Sequence, residues 1–166
     1  TRATLAWAIE AAVLMWSGCS IRMWQLRAGA YVVFAAVALR LVGSPLHAAA
    51  FLVNARLATA LVVAASAGVA VWVAGRFREQ LREPEPVVVG ALAVGANVLV
   101  LWALTLEIDL YFGIVPGGDL KATDVLLARG LTISLLWTVY ATALVMAGVR
   151  MKAAALRWQG LALFGL

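Results

Sequence analysis

Residues able to do chemistry are few in this chain, and Glu10 is the most conspicuous. It lies in "WAIEAAVLMWSGCSIRMWQLRAGA", residues 7–30, eight residues from Arg2 and twelve from Arg22, which places it near the middle of an apolar helix. An ionised side chain at the bilayer centre costs about 2.5 to 3.5 kcal/mol on insertion scales. Glu10 is therefore expected to face protein or trapped water, and protonation is one way to lower that cost. Three roles suit such a carboxylate: an interhelical hydrogen bond, a proton relay, or a counter-ion for a cationic substrate. Asn97, inside "VGANVLVLW", and Tyr140 are the other intramembrane polar candidates, and both suit interhelical hydrogen bonding.

Other chemistry is weakly supported. Glu107, Asp109, Asp119 and Asp124 put four carboxylates in "EIDLYFGIVPGGDLKATD", residues 107–124. A hard-cation site needs convergent oxygens, and this stretch lacks a D-x-D-x-D-G spacing, so it reads as a solvated outer acidic loop. His47 is the sole histidine; a lone imidazole can act as an axial ligand, but nothing else completes a haem or metal site. The single cysteine, Cys19, excludes an intrachain disulfide and a multi-thiolate site. Phosphate-loop, zinc-protease, nucleophile-elbow and dinucleotide signatures do not occur. No metal, cofactor or catalytic residue is expected.

The elements that must position these residues follow from composition. Of 166 residues, 65% are hydrophobic and 13% charged, and the mean hydropathy is +0.99, which excludes an ordinary soluble domain. About 20 helical residues cross roughly 30 Å of hydrocarbon, and the charges bracket runs of about that length. The runs show no period-two alternation, which argues against a membrane barrel. Segments are expected over 4–17, 28–42 (ending at "GSP"), 57–75, 87–106 and 125–149, with a last one from 156 that the sequence cuts short at Leu166. The fold expected is all-α: one polytopic transmembrane bundle over 1–166, five spans plus a truncated sixth. On the third segment Ala60, Ala64 and Gly68, and on a neighbouring track Ala67, Ala70 and Ala74, invite close helix packing. The seven tryptophans, mostly toward segment ends, suit interfacial belts.

The net charge of +5 sits in short connections, so it predicts topology and anionic headgroups rather than nucleic acid. Arg22, Arg27, Arg76, Arg78, Arg82, Arg150, Lys152 and Arg157 fall on one side, against Arg2, Arg40, Arg56, Lys121 and Arg129 on the other. The richer side is expected to be cytoplasmic, with the amino end outside. The chain opens on Thr1 without a signal sequence and reads as an excerpt or a processed product.

A shift of 130 residues carries Trp7 onto Trp137, Gly18 onto Gly148, Arg22 onto Lys152, Leu26 onto Leu156 and Arg27 onto Arg157. Glu10 falls on Tyr140. Two helical hairpins, about 4–42 and 125–166, thus read as copies of one unit around the middle helices 57–75 and 87–106. This hairpin pattern, with "LVNARLATALVVAA" at 52–65 and "LTISLLWTVYATALVMAGVRM" at 131–151, resembles the bacterial multi-pass membrane family called domain of unknown function 2339. The resemblance implies a stretch near the carboxyl end of a long inner-membrane protein with many helices. The family usually continues past the last hairpin into a Lys- and Asp-containing end that is absent here. It implies no activity.

The expected function is a membrane module without catalysis, packing against lipids and against further transmembrane helices of the same or another chain. A transporter or lipid-handling protein using Glu10 is the first alternative. A membrane enzyme or cofactor-bearing accessory subunit using the acidic loop or His47 is the second.

Overall fold

The computed structural model describes residues 2–43, 51–52, 54–114, 122–151 and 153–165. His47, Asp119 and Lys152, on which the sequence places expectations, lie outside the described residues. Among the described residues six α-helices follow one another: α1 (Arg2–Ser20), α2 (Trp24–Gly43), α3 (Ala55–Arg76), α4 (Glu85–Ile114), α5 (Ala122–Arg150) and α6 (Ala154–Phe164). A 3-10 turn, Arg78–Gln80, precedes α4. No strand occurs among the described residues.

Among the described residues four helices, α1, α3, α4 and α5, are long and apolar enough to cross a membrane. Five had been expected; α2 has the length, with 20 residues, but carries Arg27 in its first turn and Arg40 near its end. The boundaries of α4 also differ from expectation. Charges at 107 and 109 predict a loop, yet the helix continues to Ile114, reaching 30 residues, or about 45 Å at 1.5 Å per residue.

The chain divides into two compact units, one of residues 1–49 and 53–100, the other of 50–52 and 101–166. In the first, α1 packs against both α2 and α3. Its core joins Ala11, Met15 and Cys19 of α1, Ala30 and Phe34 of α2, and Ala67, Ala70, Val73 and Ala74 of α3. A second cluster holds Ala8, Val37, Leu41 and Val63. Buried positions on α2 run 27, 30, 34, 37, 41 and on α3 60, 63, 67, 70, 74, steps of three and four that place one seam toward the neighbour. Asn54 caps α3 by accepting a 2.8 Å hydrogen bond from the Leu57 N–H. Of the two small-residue tracks on α3, the one through Ala67, Ala70 and Ala74 is packed, while Gly68 is exposed.

In the second unit α5 and α6 form an antiparallel pair. They approach closely at Gly160, where an added methyl group would lie 2.9 Å from the Ala141 carbonyl oxygen and 2.7 Å from Val145 Cγ2. Trp137 Nε1 donates to Thr105 Oγ1 at 3.1 Å and Arg129 Nε donates to Asp109 at 2.8 Å, so two side-chain bonds join the end of α4 to α5.

Candidate functional site

The polar centre of the first unit is built at the turn between α1 and α2. The last turn of α1 closes with the Met23 N–H bonded to the Gly18 carbonyl at 3.0 Å and the Arg22 N–H to Cys19 at 3.4 Å. Arg22 takes the left-handed conformation, φ 57°, that this helix-ending arrangement requires. The start of α2 then lies directly on Gly18. A methyl group there would be 2.8 Å from Arg27 Cγ and 2.9 Å from the Arg27 backbone nitrogen, so only glycine allows this approach.

Pinned over Gly18, Arg27 is 2% exposed. Its guanidinium forms a two-pronged pair with Glu85, Nε to Oε2 at 2.7 Å and Nη2 to Oε1 at 2.9 Å. Nη1 donates to the Gly18 carbonyl and Nη2 also to the Gln80 carbonyl, each at 3.2 Å. All three guanidinium nitrogens are bonded, which is what makes a buried arginine tolerable. Glu85 opens α4, ahead of the apolar stretch that begins at Val87. The bonded Arg27 guanidinium holds the Glu85 carboxyl below the usual carboxylate range; burial opposes this, and the Arg82 backbone N–H reinforces it. Beside the pair, the Tyr31 hydroxyl and Gln80 Oε1 are buried without a hydrogen-bond partner among the described residues.

This corrects the sequence reading of Arg27. The sequence groups it with the headgroup-facing cations, but it is enclosed and paired with a carboxylate 58 residues away. Nothing in the sequence alone marks Glu85 as its partner. The available signal was the recurrence of Leu-Arg in both hairpins, since a purely topological arginine need not keep register with a glycine. Arg22, Arg76, Arg78, Arg82, Arg150 and Arg157 are exposed. Arg76 lies 5.3 Å over the Trp72 ring, Arg82 5.7 Å over Trp24, and Arg40 5.5 Å over Trp7.

The acidic residues divide differently than expected. Glu107 is 2% exposed and accepts a 2.9 Å hydrogen bond from the Leu52 N–H. Asp109 pairs with Arg129, and Asp124 lies in the first turn of α5. Among the described residues, Glu107 and Asp109 therefore belong to a helix that buries one and pairs the other, not to a solvated loop. No cluster of three potential metal ligands occurs among the described residues.

Glu10 is exposed on α1, whose core positions Ala8, Ala11 and Met15 face the other way. Asn97 donates to the Ala93 carbonyl one turn back in α4, at 3.1 Å. Tyr140 is half-buried in the second unit. A cavity of 290 Å³ between α5 and α6 is lined by Ser134, Trp137, Thr138, Leu163 and Phe164, and the Thr138 hydroxyl already donates to the Ser134 carbonyl.

The second hairpin turns on the same kind of wedge. The Ala153 N–H bonds to the Gly148 carbonyl at 2.9 Å. A methyl group at Gly148 would lie 2.7 Å from Arg157 Cγ and 2.8 Å from the Arg157 nitrogen. Arg157, unlike Arg27, is exposed.

Fold and site together define an all-helical protein with membrane-spanning character, in which an arginine wedge closes a helical hairpin. No family model matches the chain, and neither a curated protein nor a solved structure is found to be similar to it.

Proposed function

We propose that this chain is a multi-pass module of the bacterial inner membrane that works by holding partner helices, without a catalytic step. The carrying observation is Glu10, a mid-helix carboxylate on the exposed side of α1 and away from that unit's core. A carboxylate on a lipid-facing surface is costly, and a neighbouring transmembrane helix with a hydrogen-bond donor removes that cost. A face, rather than an enclosed cavity, favours docking over transport. Lipids and further transmembrane helices are the partners, and the amino end lies outside with residues 76–86 in the cytoplasm.

Two further elements belong to the same proposal. The chain has five spans and a sixth helix, α2 counting as a span despite its two arginines. The hairpins α1–α2 and α5–α6 are copies of one unit, supported by the shared glycine contacts, and the chain is a part of the domain of unknown function 2339 family, supported by the residue pattern quoted above.

The docking reading is tested with a nitroxide on Val13→Cys, one turn from Glu10, by measuring oxygen accessibility. Cys19 is buried and does not compete for label. Low accessibility in native membranes and high accessibility for the isolated chain in nanodiscs are expected, with Glu10→Leu raising the native value. Equally high accessibility in both settings contradicts the proposal.

A further inference from the structure

We propose that Arg157 is a receptor for a carboxylate in the first turn of a transmembrane helix belonging to a partner subunit. This rests on the partner-holding reading and gives one of its contacts a chemistry. The inference comes from placing the two wedges side by side. In the first, the arginine stem lies against Gly18 and its fork grips a glutamate at the start of a helix, while the preceding turn supplies a carbonyl acceptor at Gln80. In the second, the stem lies against Gly148 in the same way, and the turn closes on the glycine carbonyl through the same six-residue bond. The two differ at the fork: Arg157 is exposed and has no ion-pair partner among the described residues.

A fixed stem matters for what the guanidinium can take. The Arg157 stem is seated against Gly148 at its Cγ and backbone nitrogen, as the Arg27 stem is against Gly18, and a guanidinium so placed suits a planar, two-pronged acceptor. The same chain shows that acceptor in Glu85, the first residue of α4. Charge complementarity therefore points to a helix opening on Glu or Asp, approaching the turn between α5 and α6.

The test uses the full chain in neutral phosphatidylcholine nanodiscs, with an acceptor dye on the exposed Met151→Cys. The probe is a donor-labelled peptide of residues 79–106 of this sequence, which carries Glu85, and energy transfer is followed against peptide density. Saturable transfer is expected, weakened about tenfold or more by Arg157→Gln in the protein or by Glu85→Gln in the peptide, in line with the loss of a charged two-pronged contact. Arg157→Glu paired with a peptide bearing Glu85→Arg is expected to recover most of the binding, which a merely structural residue would not allow. Transfer indifferent to both neutral substitutions overturns the proposal. So does a result in which Arg157→Gln alters only the retention of added phosphatidylglycerol, for that makes Arg157 a lipid contact. Accessibility at Val13 is read on α1 and does not depend on Arg157, so the docking face and this contact can fail separately.

Discussion

Hairpins α1–α2 and α5–α6 share a hinge and differ in what lies beyond it. Both stack the stem of an arginine on a glycine, and both close the turn on that glycine's carbonyl. The first hairpin is then covered: α3 packs on α1, and Glu85 closes over Arg27. In the second, Arg157 stays exposed, and few α5 residues are buried. Glycine and arginine are thus enough to shape the turn, and the ion pair is a separate, long-range layer. A buried charge needs that layer, whereas an exposed one does not.

The largest break in this comparison comes from removing Glu85. Glu85→Ala leaves Arg27 buried and unpaired and is expected to lower stability by about 3 kcal/mol, while Arg157→Ala changes it by less than about 0.5 kcal/mol. Thermal unfolding in detergent with a probe in each unit reads the contrast. Next come the glycines. Gly18→Ala and Gly148→Ala each force a backbone nitrogen away from the new methyl group and are expected to cost about 1 to 2 kcal/mol, by similar amounts. Gly68→Ala, with open space around the added methyl, is expected to be neutral or mildly stabilising. Unequal effects at 18 and 148 would separate the two wedges.

Acidification sharpens the same contrast. A carboxyl held low by its partner adds stability that is complete above its unfolded pKa, about 4.3, and disappears as pH falls through the lower folded value. The first unit should therefore lose stability on titration below about pH 4, and Glu85→Gln should flatten that limb by removing the high-pH advantage. The smallest effect belongs to the turn residue. Arg22→Gly relieves a left-handed conformation and is expected to gain up to about 0.5 kcal/mol.

Much of the helix order was legible in the sequence, because charges bracket apolar runs and each observed helix overlaps an expected one. What the sequence hid is which side of each helix packs. Residues such as those around Ala67 and Gly68 are small and apolar on every side, so no polar stripe marks the outward face. Glu107 and Asp109 misled for the opposite reason. Charges suggest a loop, yet α4 is long enough to run past a 30 Å hydrocarbon layer and keep both within a helix. Arg27 looked like its neighbours Arg22 and Arg76 because its partner lies in another element. The spacing of 130 residues did mark Gly18 with Arg27 and Gly148 with Arg157, and those are the residues that touch.

The most direct test is a double-mutant cycle on Arg27 and Glu85, using Arg27→Met, Glu85→Leu and both together, read by reversible unfolding in bicelles. The account expects strong non-additivity: each single change costs about 3 kcal/mol, and the pair together costs little more than one alone. Additive losses, with a coupling below about 0.5 kcal/mol, would show that the guanidinium and the carboxylate do not depend on each other, and the contrast between the two hairpins would lose its basis.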